Sequence, residues 1–352
     1  HVSSGGSATS TTINSGGFQN VSSGGSSTST TINIGGYQYV SSGGSATSTT
    51  INSGGMLSVS SGGSAVDITQ NSGGAIVANT SAVLSGTNGK GTFSIAGGSA
   101  SNMLLENGGY LSVLNGHQAT STTINSGGML SVSSGGSAVD ITQNSGGIIF
   151  ADTSATLRGT NINGSFSIAG GSASNMLLEN GGYLSVLNGH QATSTTINSG
   201  GMLSVSSGGS AVDITQNSGG AIVANTSAVL SGTNGKGSFS IAGGSASNML
   251  LENGGDLSVL NGHQATSTTI NSSGFQNVFS GGSATSTTIN SGGFQNVFSG
   301  GSATSTTINS GGFLYVSSGG SATCTTIISG GVQHVFSGGS ATSTTINSGG
   351  FL

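Results

Sequence analysis

Eight carboxylates, five histidines, three basic side chains and one cysteine are the groups in this chain that could do chemistry. The acids are Asp67, Glu106, Asp140, Asp152, Glu179, Asp213, Glu252 and Asp256. Two of them within about 5–10 Å of each other could cleave a glycosidic bond. Most, however, are copies of one another: Asp67 recurs as Asp140 and Asp213, and Glu106 as Glu179 and Glu252. Asp67 and Glu106 themselves fall at different places in the pattern. No catalytic pair is expected, and the chain reads as no enzyme. His117, His190 and His263 recur at the same 73-residue spacing, each opening "HQATSTTINS" where other copies carry Gly. They read as exposed turn residues rather than as ligands of one metal. "GGSAVDIT" from Gly62 is close to a calcium nonapeptide, but Ala65 stands in place of the third Gly and no tandem copy follows. Such motifs hold ions between adjacent copies, so a calcium-binding β-roll is only an alternative. Cys324 is alone, which rules out an internal disulfide. Lys90, Arg158 and Lys236 cannot neutralise a run of phosphates, so no nucleic-acid partner is expected.

What must position these groups is a chain of 352 residues with 68 Gly, no Pro, no Trp and 3% charged residues. Gly/Ser-rich chains are often flexible linkers. Here hydrophobic residues still make up 32% and fall at fixed places in a fixed period. "SATSTTINSGG" begins at Ser7 and returns at Ser45, Ser283, Ser302 and Ser340. A 19-residue repeat occupies 7–63, three 73-residue blocks occupy 64–282, and the 19-residue repeat resumes over 283–352. Each block contains one 35-residue step, which divides into a 16-residue turn and the 19-residue unit "TSAVLSGTNGKGTFSIAGG" from Thr80. Fixed periods of this size mean a solenoid, here one domain of about nineteen rungs. No stretch approaches the eighteen or so apolar residues of a membrane helix, so this segment is not expected to enter a membrane.

Gly pairs every few residues exclude helix. The stretches between them alternate with period two, as strands do. Thr9, Thr11 and Ile13 are expected to face inward and Ser10 and Thr12 outward, with Leu104, Leu177 and Leu250 breaking the outward set. A second short strand, Phe18 to Val21, places Val21 inward; Phe18 fills a corner of the core or joins an outer ladder. The paired glycines of "NSGG" and "SSGG" supply the positive φ angles of two tight turns. Two strands and two turns per 19-residue unit make one rung of a parallel β-helix, of right-handed winding by the crossover rule. Rungs roughly 4.8 Å apart would make a rod roughly 90 Å long. One rung buries too little to stand alone, and stacking supplies what it lacks. A flat array of Ser10 and Thr12 hydroxyls would also suit an ice-binding β-helix, though Asp67/Thr69 and Asn102/Leu104 interrupt it.

The units "GSATSTTINSGGFQNVSSG" closely resemble the 19-residue passenger repeats of AIDA-type autotransporter adhesins of Gram-negative bacteria. The resemblance covers nearly the whole chain and is specific in period, Gly-pair placement and the "TTINSGG" core. It implies a passenger exported through the periplasm, passed through a C-terminal outer-membrane barrel and displayed on the bacterial cell surface. It implies attachment to a host cell-surface receptor, self-association between rods on neighbouring cells, autoaggregation and biofilm formation. With no leader, cap or barrel, and with an end in mid-pattern at "SGGFL", the chain is expected to be part of a passenger. The resemblance also implies covalent heptose on serine, added by a cytoplasmic heptosyltransferase, and no other cofactor. The preferred acceptors are the turn serines Ser15, Ser53, Ser72, Ser126, Ser145, Ser199, Ser218, Ser291, Ser310 and Ser348; position 34 is Ile and lacks one. Second in rank are the strand serines Ser10, Ser29, Ser48, Ser121, Ser194, Ser267, Ser286, Ser305 and Ser343, where sugars on a stacked face would crowd. Cys324 takes the Ser10 place as an exposed thiol. Phe279, Phe298 and Phe336 replace the Ser22-type serine, and an apolar stripe there is a candidate contact surface.

Overall fold

A computed structural model describes the chain from His1 to Leu352. It comprises two compact units, His1–Gly170 and Gly171–Leu352, each built as a parallel β-solenoid. The turn that starts at Ser26 shows how the sequence does this. One strand runs Ser26–Ile32, the chain reverses over 33–36, a second strand runs Tyr37–Val40, and the chain reverses again over 41–44. Strand residues other than Ser29 pair with their counterparts in the next repeat, Ile32 with Ile51 and Val40 with Val59. Like therefore stacks on like. Ile13, Ile32 and Ile51 form one buried interior column and Val21, Val40 and Val59 another.

The first strand does not alternate as the sequence suggested. Ala46 and Ala65 are fully buried, as is Ser27 in the same place, whereas Thr9 and Thr28 are exposed. The inward set is thus Ala8, Thr11 and Ile13 rather than Thr9, Thr11 and Ile13. The cause is a left-handed residue between them: Ser10, Ser29 and Ser48 have φ of 55°, 55° and 56°. A positive φ in mid-strand resets the side-chain parity, so two outward residues follow one another. In the second unit the kink is complete enough that Thr269–Ile270, Thr288–Ile289 and their copies pair as a sheet of their own.

Polar residues also line the interior. Gln38 is buried, donating from Nε2 to Gln19 Oε1 and to Ser27 Oγ at 2.8 Å, and the Thr49 hydroxyl donates back to its Oε1 at 3.3 Å. Gln295 and Gln276 repeat the pattern at 2.8 Å in the second unit. Buried amides such as Gln38 and Gln295 survive because they find partners in the neighbouring rung, whereas Gln333, near the C-terminal end, has none. At the turns, Asn33 donates to Asn14, Asn52 to Asn33 and Asn71 to Asn52, each at 2.8 Å. Only the first glycine of each turn needs its torsional freedom: Gly35 has φ of 69°. The second is required by close approach, since a Cβ on Gly36 would lie 2.5 Å from the Ile13 carbonyl oxygen.

The 35-residue step makes one turn, where its length suggested two. Val83–Asn88 stacks in parallel on Ser64–Gln70, Gly91–Ala96 returns antiparallel to it, and Ser99–Ser101 runs forward again. On the other arm Ala75–Asn79 pairs directly with Tyr110–Val113. The insertion therefore thickens one sheet only. Where its tip peels away, Gln70 replaces the interior Ile and donates to the carbonyls of Gly74 and Leu104 at 2.8 and 3.0 Å. Glu106 replaces the turn Asn, and its carboxylate accepts the Gly73 N–H at 2.6 Å. Gln216 and Glu252 do the same in the second unit. Leu104 and Leu250 are buried beside these repairs, so they break the outward pattern without exposing apolar surface.

Gly36→Ala should lower the urea midpoint, with a cost of about 1–3 kcal/mol for the overpacked turn. Ser15→Ala, one rung away at an exposed position, should change stability by less than about 0.5 kcal/mol. Equal midpoints for the two variants would contradict the close-approach account.

Candidate functional site

The outer surface is made of columns, because each outward position recurs every turn in register. The first column is the kink. Ser10, Ser29, Ser121, Ser194, Ser267, Ser286, Ser305 and Ser343 are exposed and Ser48 is half-buried, all with positive φ. Each sits at a left-handed kink, inside a continuous strand at Ser29 and Ser48 and between two short strands at most of the other copies. The left-handed kink interrupts the flat Ser10/Thr12 array expected of an ice-binding face. Asp67, Asp140 and Asp213 occupy the same column and accept hydrogen bonds from Ser48, Ser121 and Ser194 at 2.6–2.7 Å. Cys324 also sits there, exposed, with φ of 58°.

The second column is the turn. Ser15, Ser53, Ser72, Ser126, Ser145, Ser199, Ser218, Ser291, Ser310 and Ser348 are all exposed. Where a plain 19-residue turn or the start of a block follows, the hydroxyl leans over the first glycine of that turn: a Cβ on Gly35 would lie 3.0 Å from Ser15 Oγ, and one on Gly311 would lie 2.7 Å from Ser291 Oγ. Ile34 holds the corresponding place in its rung and is exposed.

The third set is aromatic, on the outer face of the second strand. The Phe18 position is not a corner of the core: Phe18 is 55% exposed and its ring stacks on Tyr37 at 5.3 Å. In the second unit Phe275, Phe294 and Phe313 stack at 5.3 Å steps, and Phe279 stacks on Phe298 at 5.0 Å. Phe336 closes the group against Tyr315 at 6.2 Å. Phe279, Phe298 and Phe336 all point outward, with exposures of 39%, 36% and 53%.

The titratable groups are dispersed among structural tasks. No three His, Cys, Asp or Glu side chains come together. His117 and His263 are half-buried rather than exposed, each sharing a 2.8 Å hydrogen bond with a buried threonine, Thr80 or Thr226. Their rings pack over the hairpin glycines Gly98 and Gly244, which explains why His replaces Gly in those turns. Asp256 stands where the other blocks carry Tyr110 and Tyr183. Burial raises its carboxyl above the ordinary carboxylate value, and hydrogen bonds from Ser258 and Asn277 oppose that only in part. No helix is long and apolar enough to cross a membrane.

Three features were missed in the sequence: the kink, the interior Gln column and the Glu106-type cap. The kink had a signal, because its position admits Asp67 and Asn102, residues tolerant of left-handed backbone. The Gln column had one too, because Gln19 and Gln38 alternate with Leu57 and Ile76 at one repeat place.

Solenoid turns of this period carry outward hydroxyl and aromatic columns. The sequence profile of a family described as adhesin of bacterial autotransporter system, probable stalk, matches residues 85–147, 158–220, 231–293 and 291–331. The chain belongs to that family, and is an autotransporter adhesin passenger of the AIDA/TibA kind. It is 94% identical over 32 residues to autotransporter CRAC of Citrobacter rodentium, and 77% identical over 35 residues to the autotransporter adhesin/invasin TibA of Escherichia coli. These segments make up 9% and 10% of this chain, and only 2% and 4% of those relatives. A crystal structure of a TibC-catalyzed hyper-glycosylated TibA fragment, residues 55–350, aligns with 98% of this chain and 96% of its own length. The identity there is 37% and the TM-score 0.35.

Asp256→Asn should stabilise the chain at neutral pH, because the amide still accepts from Asn277 without an ionised group half-buried beside it. A carboxyl whose folded pKa is raised disfavours folding once ionised, so wild-type stability falls as pH rises from the ordinary carboxylate value through the raised one. The gain should be full above that window and vanish below it. A gain independent of pH, followed by thermal melts from pH 3 to 8, would contradict this assignment.

Proposed function

We propose that this chain works as a non-catalytic, surface-displayed adhesive segment that drives autoaggregation and biofilm formation and attaches bacteria to host cells. Family membership is the observation that carries the reading. The geometry supports it in a specific way: a solenoid repeats each outward group at every rung, so weak contacts add up along its length. Contacts of one polar group each become an adhesive surface when dozens engage together. The stripe of Phe279, Phe298 and Phe336, with Phe275 beside it, supplies an apolar patch for self-association.

Serine-linked heptose, added in the cytoplasm by a heptosyltransferase before export, belongs to the same proposal. The TibA fragment is hyper-glycosylated by TibC, and TibA shares a closely similar segment with this chain. The turn serines from Ser15 to Ser348 are the acceptors proposed first. The kink serines from Ser10 to Ser343 are proposed second, because side chains at that position touch from rung to rung, as Ser48 and Asp67 do at 2.6 Å. Display on the outer membrane and a host receptor complete the reading.

Cells displaying the chain, labelled in one colour and mixed with non-displaying cells in another, should clump with their own kind. Replacing Phe279, Phe298 and Phe336 together by Ser should weaken clumping while leaving surface display unchanged. Equal recruitment of both cell types, or unchanged clumping of the triple variant, would count against self-association through this stripe.

A further inference from the structure

The outer face of the first unit carries a trough that neither the turn serines nor the aromatic stripe of the second unit accounts for. One outward column there reads Tyr39, Ser58, Val77 and Tyr110, each paired with the next. The column exists because of a register jump. Met56 pairs with Ala75, but Tyr110 pairs with Val77 rather than with Ala75. The jump carries Tyr110 two residues along its neighbour, out of the Phe18 column and into line with Tyr39. Two rungs of small side chains now lie between two tyrosines, and the space between them measures about 380 Å³.

The lining is neutral and unspent. Ser58 forms part of the floor, with Ser60, Asn79 and Ser112 beside it. The three hydroxyls make no side-chain hydrogen bond within the protein. Asn79 Oδ1 accepts the Ser81 N–H at 2.9 Å, and its amide N–H groups make no hydrogen bond within the protein. No charged side chain lines the trough.

We propose that this trough binds a single neutral pyranose, seated with a C–H face against a tyrosine ring and its hydroxyls on Ser58, Ser112 and Asn79. Aromatic walls with a few convergent polar groups are the usual make-up of a small-ligand site. A charged sugar, a sulfate or a phosphate would find no cation to pair with. A peptide could not add as a strand, because both edges of Met56–Val59 and of Ala75–Asn79 are already paired. A wholly apolar occupant would cover three hydroxyls and an amide without satisfying them. A sugar satisfies both halves of the lining. The site would give the adhesive reading a ligand class, but it stands on the trough alone and does not rest on that reading.

The test is saturation-transfer NMR on the full chain, made without a glycosyltransferase. The probes are the methyl glycosides of mannose, galactose, glucose and N-acetylglucosamine, with a neutral Phe-containing tripeptide as comparison. Ring C–H protons of at least one glycoside should receive saturation. Ser58→Tyr should abolish the transfer by filling the trough, yet leave the urea midpoint in place, since Tyr39 and Tyr110 already occupy the same outward column. Tyr110→Ala should weaken binding by about two- to tenfold, the worth of one aromatic contact. Transfer to none of the glycosides, transfer unchanged in Ser58→Tyr, or displacement of the glycoside by the tripeptide would overturn the assignment. Such a failure would leave the self-association reading standing, since that concerns a different face and is read by cell clumping.

Discussion

Everything in this molecule depends on one residue meeting its counterpart in the next repeat. A single rung holds a few aliphatic side chains, a buried Gln or Leu and two glycine turns, too little to offset the entropy of ordering its own backbone. Stacking changes the balance. Each backbone N–H and C=O of a strand finds a partner in the next rung, as do the Asn14, Asn33, Asn52 and Asn71 amides at the turn. Because the partner is a copy, a residue acceptable in one rung is acceptable in the next only if its own column tolerates it. That is why Ile stacks on Ile, Val on Val and Gln on Gln, and why so few kinds of residue suffice.

Where the copying is interrupted, the repair is local and chemical. The inserted hairpin adds two strands to one arm and none to the other, and its tip leaves unpaired groups behind. Gln70 reaches across with its amide to the Leu104 carbonyl, and Glu106 offers a carboxylate oxygen to the Gly73 N–H, which elsewhere would find a backbone carbonyl. Most of the few acids and histidines are accounted for in this way, as caps and braces. The same interruption displaces Tyr110 along its neighbour, so a structural irregularity reshapes the outer face. Variation in the stalk thus produces variation in its surface without a new fold.

The solenoid was legible because its signal is repetition, which survives any misjudgement of a single residue. The Gly pairs, the inward Ile13 and Val21 columns and the exposed turn serines followed directly. What period-two reasoning could not see was the left-handed residue at Ser10. Serine carries no strong preference there, and only the Asp67 and Asn102 substitutions betray it. One kink turned Thr9 outward and Ala8 inward, and put the second-rank serines in a left-handed conformation. The length of the 35-residue step misled for a different reason. Antiparallel hairpin strands and a further parallel turn need similar numbers of residues, and only pairing distinguishes them. The His117-type residues looked exposed because their partner, Thr80, is 37 positions away.

Under the proposed function, this stalk acts through outward columns fixed by the rung register. Site-resolved mass spectrometry of the chain, made with and without a heptosyltransferase, tests that claim most directly. The account predicts heptose increments only in the presence of the enzyme and confined to the turn and kink columns, with none on inward Ser27. An unchanged mass would contradict the glycosylated reading. Modification scattered over strand serines such as Ser45 and Ser302, or reaching Ser27, would contradict the columns themselves.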